Sequence, residues 1–542
     1  MTDTFDADVV VVGLGPVGAT AANLAHDLGL RVIAVDRATQ VEPRPRAIGF
    51  DQEAMRVFAG LGLADAIAPH VMPYRPSEYH NADGRVIRRI GAAPPPHPLG
   101  WAPNYVFLQP RLEGALRQRL EQCAGVETLL GTEATDVQFD DGGARVGTTD
   151  LSGRRRTLRA RYVLACDGGA SPLRTALGLD MRDLEFDEPW LVVDVLLHSG
   201  AGQDLPRTNV QYCETARPST FVVGPGNLRR WEFMINPGED PAEASREEFV
   251  RGLLSRWLDA GDYDLWRASS YRFHALVLRQ WRAGRLFFLG DAAHMTPPFL
   301  AQGMCQGIRD ASNLLWKLAL RLRGVAEESL LDTYQREREP HVRQVTLAAK
   351  ELGRIICERD DAVAAARDAA LLGELAARPE GIVRQSLIPG LEAGFLAPAG
   401  SPARGELLPQ PRVTDVRGQA GLLDTFTGSA FRLVVRHDAD ASAAERALCA
   451  HRAAGGFPLR LVRMTTAGTP ARPDEYRESE PVLDDWMRQR SCAAVLARPD
   501  HYVFGGARDT DDVGTLLHGA DRQLRPWAHH LTDPPSRERG AA

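Results

Sequence analysis

The 542-residue chain has no apolar run approaching the roughly 18 residues that a membrane-spanning helix needs. Its N-terminal stretch, MTDTFDAD, is acidic and polar and does not read as a secretory signal. The seven cysteines (123, 166, 213, 305, 357, 449 and 492) are scattered, with no C-x-x-C and no ligand-type spacing. That argues against a structural zinc and for reduced thiols in a cytoplasm. Positive charge is not in excess. Lys and Arg number 64 against 71 Asp and Glu, and the formal net charge of −7 gives no reason to expect nucleic acid or an anionic membrane as partner. No internal repeat is visible. What remains, with 44% hydrophobic and 25% charged residues, is the composition of an ordinary globular protein whose length implies two or three domains.

The most informative stretch runs from Ala7 to Arg37. Val9–Val12 is a β-branched run of the kind buried on both faces of a parallel sheet. Gly13, Gly15 and Gly18 follow as G-x-G-x-x-G, with Pro16 where a first helical turn tolerates it. Ala19–Leu28 reads as a helix, Arg31–Val35 as a second strand, and Asp36 ends that strand about 20 residues beyond the glycines. The glycines would let backbone approach a pyrophosphate, and the helix N-terminus would meet its charge. Asp36 would meet a ribose hydroxyl. The pattern predicts a dinucleotide site but does not separate FAD from NAD.

Further along, Arg44 and Arg46 lie in a Pro-interrupted loop where an arginine can pair with phosphate, Arg46 being the stronger candidate. A helix is expected from Asp51 to about Ala59, and Gln109 opens another to about Leu120. Residues 126–165 alternate as hairpin strands, with Asp140-Asp141-Gly142-Gly143 as one turn. Tyr162–Asp167 is a buried strand ending at an Asp167-Gly168 turn. From Trp190 to His274 the chain is β-rich and predicts a mainly antiparallel sheet, a wall for a second ligand, interrupted by a helix over about 242–260. Arg285–Gly290 returns to a buried strand. GDAAHMTPPFLAQGMC then leads into a helix whose positive end suits a group that becomes anionic, such as the N1–O2 edge of a reduced flavin. Tyr334–Gly353 and Ala362–Ala377 are helical, Ile388–Pro411 is Pro/Gly-rich, and the remainder alternates strands with helices before a tail after about 531.

Taken in order, the G-x-G-x-x-G ending in Asp36-Arg37, Gln109, the CDGGAS turn and GDAAHMTPP resemble the group A FAD-dependent aromatic hydroxylases of the para-hydroxybenzoate hydroxylase fold. Phrases such as PRAIGFDQEA, YCETARP, RRWEFMINPGE and LDTYQRERE are most similar to 3-(3-hydroxyphenyl)propionate hydroxylases. The likeness is good over about residues 5–345 and weaker beyond. It implies an α/β chain with a Rossmann-like FAD-binding domain of mixed sheet (1–75, 105–185 and 276–385). An inserted, mainly antiparallel substrate-binding domain would occupy 76–104 and 186–275. A linker (386–411) would lead to a small thioredoxin-like α/β domain (412–530) and a tail (531–542). Lacking C-x-x-C, that last domain is expected to serve packing or dimerisation, which leaves a homodimer open.

The resemblance implies FAD as cofactor, held by Gly13, Gly15, Gly18, Asp36, Arg37, Arg46 and Gln109. Asp167 and Gly168 would border it, Asp291 would bind the ribityl chain, and Pro298, Gly303 and Met304 would line the isoalloxazine. It also implies NADH or NADPH as a transient co-substrate, in keeping with the lack of a second G-x-G-x-x-G. A flavin C4a-hydroperoxide formed from O₂ would then hydroxylate a phenol in a dry pocket. Phe299-Leu300 stands where relatives often carry Gly, which would narrow the space by the flavin, and Cys305 where some carry Asn. A phenol reacts faster as phenolate, so an oriented acceptor would help. Tyr212 and His274 are candidates, with His294 more structural, and Arg217 is a candidate partner for a substrate carboxylate. The alternatives are the same chemistry on a larger polyketide or other natural-product phenol, and a flavin oxidase without oxygen insertion.

Overall fold

In the computed structural model, which describes residues 5–140, 142–466 and 468–525, the chain forms two compact units. The first comprises residues up to 97, 101–312 and 339–389, and the second 98–100, 313–338 and 390 onward. Asp141 of the expected turn, residues 526–530 of the expected C-terminal domain and the tail 531–542 lie outside the described residues.

The first unit is built on β1 (Ala7–Val12), α1 (Pro16–Asp27) and β2 (Val32–Asp36). β1 is flanked in parallel by β2, with Val9 opposite Val32, and by β3 (Arg155–Ala165), with Val10 opposite Val163. Val9, Val10 and Val11 are fully buried, as a strand covered on both faces requires. α1 starts at Pro16 rather than Ala19, because proline lacks the N–H that a first turn leaves unpaired anyway. Gly13 has φ +95°, and a Cβ there would collide with the Cys166 carbonyl at the end of β3. A strand at Leu286–Phe288 continues the sheet in parallel beyond β3, and Thr132–Phe139 and Ala144–Asp150 extend it antiparallel. The sheet is therefore mixed.

The second sheet has nine strands, centred on β4 (Met181–Leu197) and β5 (Tyr263–Leu278). Beyond β4 lie Leu228–Met234, Ser219–Val223 and Asn209–Tyr212, all antiparallel, and then Ser77–His80, parallel to its neighbour. Side chains alternate between its faces. Leu191, Val193, Tyr212, Phe221, Trp231 and Phe233 point into one apolar cluster, where Val250, Leu254 and Leu258 cover them. Val192, Gln211, Thr220 and Glu232 point the other way.

The single helix expected over 242–260 is two short ones, Pro241–Ala244 and Glu247–Leu254. Ser245 divides them: its hydroxyl donates back to the Pro241 carbonyl at 2.8 Å and accepts from Ser270 N–H at 3.1 Å.

The second unit carries a mixed seven-stranded sheet in which Phe431–Val435 and Leu459–Thr465 run parallel while Ala494–Ala497 and Val503–Ala507 run antiparallel. Two expectations are corrected here. The 386–411 stretch is not a loose linker: from Gly390 onward it belongs to this unit, and its Phe395 is fully buried against Trp316, Phe431 and Phe504. Nor does the C-terminal core begin at 412, since Trp316, Leu320 and Leu330 share one apolar cluster with Phe431 and Leu496. Among the described residues, no helix is long and apolar enough to cross a membrane.

Candidate active site

Within the first unit, a cavity of about 280 Å³ opens between the carboxyl ends of β1 and β3 and the polar face of the second sheet. Ligands of open α/β sheets bind at such strand ends. Gly15, Arg46, Gly168, Asp291, Pro298, Gly303 and Met304 line it, as do Gln109 and His274.

The nucleotide-facing side shows a cradle. Cβ atoms built on Gly15, Gly168 and Gly303 would meet nothing within 4 Å. Gly18, by contrast, is pressed against the Gly13 carbonyl and closes the turn. Asp36 Oδ2 accepts from Leu14 N–H at 2.7 Å and from Arg117 at 3.1 Å, while Oδ1 accepts from Ala38 N–H. Gln109 Oε1 accepts from the N–H groups of Arg46 (2.8 Å) and Ala47 (2.6 Å), and its Nε2 donates to buried Glu113. Gln109 thereby holds the loop that presents Arg46. Asp167 lies between lining residues Cys166 and Gly168. Burial raises its carboxyl pKa, and Oδ1 is buried with no hydrogen-bond partner among the described residues. Open glycine backbone, a positive helix end and an orphaned carboxylate oxygen fit an extended, pyrophosphate-bearing FAD.

A second loop, Gly290–Gln302, frames the cavity from below α2 (Gly303–Leu322). Asp291 has exposed surface, but that surface is cavity wall, and enclosure by protein raises its carboxyl pKa. His294, read from the sequence as the more structural of the candidates, is fully buried and contacts Asp310 Oδ2 at 2.7 Å, and the same oxygen accepts from Gly290 N–H at 3.0 Å. Arg174 Nη1 donates to the Ala292 carbonyl at 3.0 Å, tying this loop to the Asp167 turn. Phe299 does line the cavity, packed edge-on against Phe186, Trp190 and Phe273, whereas Leu300 and Cys305 do not reach it.

The sheet-facing wall comes from register. Gln211 pairs with Thr220, Thr220 with Glu232 and Glu232 with Val192, so these four side chains form one row across neighbouring strands. Two residues along lies a second row of Val222, Arg230, Asp194 and Arg267. Asp194 and Arg230 form a fully buried bidentate pair at 2.7 and 2.9 Å, and Arg230 donates to the carbonyls of Arg46 and Pro45. Thr220 Oγ1 donates to Gln211 Oε1 at 2.6 Å. Glu232 is 7% exposed and accepts no hydrogen bond from the described residues; its nearest cation is Arg230 Nη1 at 3.9 Å. Burial raises its pKa, opposed by the Arg230 charge.

Several expected residues are elsewhere. Tyr212 stands one position from Gln211, so the pleat turns it to the opposite face, against Trp257 and His80. Arg217 is engaged by Glu239 and the Met234 carbonyl and does not line the cavity. Arg37 is exposed just past β2, and Arg44 pairs with Glu42 on the surface. His274 reaches the cavity while its Nδ1 lies 3.2 Å from Asp187. Glu232, Arg230 and Arg384 were invisible as site residues because only their register or a distant fold contact brings them there.

Comparison with known proteins agrees with this geometry. A family model described as "FAD binding domain" matches residues 6–349, and one described as "HcaD C-terminal domain" matches 405–522. The chain is 36% identical over 515 residues to a probable NADH-specific resorcinol 4-hydroxylase of Rhodococcus jostii (strain RHA1), covering 94% of this chain and 93% of the relative. It is 30% identical to a 3-(3-hydroxy-phenyl)propionate/3-hydroxycinnamic acid hydroxylase of Comamonas testosteroni, covering 92% and 94%. Among solved structures, the flavin-dependent monooxygenase PieE with FAD and substrate superposes with a TM-score of 0.81 at 23% identity, over 96% of this chain and 100% of that one. Aklavinone-11 hydroxylase with FAD and aklavinone gives 0.78 at 21%, over 96% and 99%; both likenesses show the fold. By its FAD-binding family match and its near full-length relatives, the chain belongs to the FAD-dependent aromatic hydroxylases.

Proposed function

We propose that this monooxygenase uses NADH and hydroxylates a single-ring phenol of the 3-(3-hydroxyphenyl)propionate class. The carrying observation is Glu232: a buried carboxylate without a donor among the described residues, in a row with Gln211 and Thr220, on a wall that also carries the apolar Val192, Val222 and Phe273. A phenol hydroxyl donates to that carboxylate while the ring packs against Phe273 and Phe299. The acceptor role expected of Tyr212 thus passes to Glu232, with His274 at the rim. NADH and the single-ring substrate are supported by the names of the Rhodococcus and Comamonas relatives.

When bound, FAD reduced by NADH supplies O₂ activation and oxygen transfer to the ring. The chain supplies position and dryness. Gly13, Gly15 and Gly18 hold the pyrophosphate at the N-terminus of α1, and Asp36 meets the adenosine ribose beside Arg37. Arg46, braced by Gln109, lies along the cofactor. Asp167 and Gly168 border it, Asp291 meets the ribityl chain, and Pro298, Gly303 and Met304 line the flavin ring. The FAD-binding segments are 1–75, 105–185, 276–312 and 339–385, and 76–97 and 101–104 with 186–275 bind substrate. The seven free cysteines support a reducing, cytoplasmic setting, and the C-terminal α/β domain is proposed for packing or for self-association as a homodimer.

The test follows NADH oxidation, O₂ uptake and peroxide together for 3-(3-hydroxyphenyl)propionate, resorcinol and a polycyclic phenol. Coupled turnover with a single-ring phenol, yielding a hydroxylated product with little peroxide, is expected. Peroxide equal to NADH consumed with every compound, or coupling only with the polycyclic phenol, would overturn the reading.

A further inference from the structure

Arg384 is the one buried arginine on the cavity wall without a carboxylate partner among the described residues. It follows the short strand Ile382–Val383, which pairs with Val86–Gly91 at the edge of the second sheet. It is 5% exposed and lines the cavity. Nη1 donates to the Leu300 carbonyl at 3.2 Å and Nη2 to Ser77 Oγ at 3.4 Å, and the guanidinium lies 4.8 Å from the centre of the Tyr74 ring. Arg230, on the same wall, has Asp194. A buried guanidinium balanced only by two long neutral contacts and an aromatic face is held at a cost that an incoming anion relieves.

Its position relative to Glu232 defines a length. Ser77 pairs with Asn209, two residues before Gln211 on the same strand, and Gln211 begins the row that continues through Thr220 to Glu232. Three strand spacings and two residues along the strand separate Ser77 from Glu232, about 16 Å. That suits a phenol whose hydroxyl meets Glu232 and whose side-chain carboxylate, two or three bonds from the ring, meets Arg384. Resting on the hydroxylase reading above, we infer that Arg384 is the carboxylate-binding residue of the substrate site and makes the enzyme select phenolic acids over neutral phenols. Arg217, the arginine expected for that role, is already neutralised by Glu239.

The experiment titrates purified FAD-loaded wild type, Arg384→Met and Arg384→Lys with 3-(3-hydroxyphenyl)propionate and with uncharged 3-propylphenol, reading the flavin absorbance change. Flavin bound per chain checks folding. Arg384→Met is expected to weaken the acid roughly 100-fold while holding 3-propylphenol within about twofold, as loss of one partner of a desolvated charge pair predicts. Arg384→Lys, which keeps the charge without the fork, should recover part of the acid binding. Should Arg384→Met lose its flavin, Arg384→Lys carries the test: weakening confined to the acid supports the assignment. Equal weakening of both ligands, or none, overturns the assignment of Arg384 and leaves the hydroxylase reading standing. Failure of the wild type to bind or turn over any phenol overturns that reading, and the inference with it.

Discussion

Glu232 acquires its chemistry from its setting rather than from its residue type. Enclosure raises its pKa, the Arg230 charge opposes that, and Asp194 adds to the rise. The carboxylate therefore takes up a proton at a higher pH than an exposed glutamate does, which moves it towards the range useful to a general base. Hydroxylation needs it deprotonated, so kcat/KM should fall on the acid side with an apparent pKa above the usual carboxylate value of about 4.3. Glu232→Gln should lower coupled hydroxylation by roughly 100-fold, remove that acid limb and divert NADH to peroxide. Stopped-time product and peroxide assays across pH check this; an unchanged acid limb in Glu232→Gln would remove Glu232 from the reaction. Residue type alone offers Tyr212 and His274 for this role. A sheet of period two exchanges neighbours, and whether Gln211 or Tyr212 faces the ligand is decided by what covers the far side, here the helix carrying Val250 and Leu254.

At the scale of elements, what was legible and what was not follows from range. The β1–α1–β2 unit is readable because its strand, glycine turn and helix are local, each recognised within about a dozen residues. The split at Ser245 and the packed 390–411 segment are not, since the first depends on Ser270 and the second on Trp316 and Phe504, both far along the chain. The start of α2 shows the same dependence. Arg309, on its second turn, reaches buried Asp51 and Glu53 and contacts Gln302 at 2.9 Å, while Gln302 donates to Asp51 at 3.1 Å. This network fixes Gly303 and Met304, the residues placed at the flavin ring, to the short strand Gly49–Asp51. Arg309→Met would leave two buried carboxylates without their cation, a change that costs about 3–5 kcal/mol. Lower thermal stability together with flavin lost on gel filtration is expected. Full flavin retention at unchanged melting temperature would show that the network does not hold this helix end.

The whole molecule depends on a second polar core, inside the unit that carries the C-terminal sheet. Glu337 Oε2 accepts from Arg498 at 2.6 Å, from Lys317 at 2.8 Å and from Asn313 at 2.6 Å, and Oε1 accepts from Phe395 N–H at 2.8 Å. Arg498 also pairs with Asp500, and all of these charges are essentially inaccessible. Burial alone would raise the Glu337 pKa, but Arg498 and Lys317 outweigh it and hold the carboxyl at about 2, against an ordinary 4.5. Because the folded value lies below the unfolded one, the stabilisation is complete above the unfolded pKa and is lost as pH falls through the folded one. The window is therefore from about pH 4.5 down to about 2. A shift of that size corresponds to about 3 kcal/mol, the same order as removing one partner of a buried pair. Glu337→Gln should thus destabilise this unit by about 3 kcal/mol at neutral pH and flatten its acid sensitivity. Amide exchange in the strands Phe431–Val435 and Val503–Ala507, measured from pH 7 to pH 3, reads that unit directly. Protection in the wild type should decline steeply below about pH 4.5, and in Glu337→Gln it should begin lower and decline less. Parallel profiles in the two proteins would mean that Glu337 does not couple this unit to protons, and that its apolar cluster around Trp316, Phe395 and Phe431 carries the stability alone.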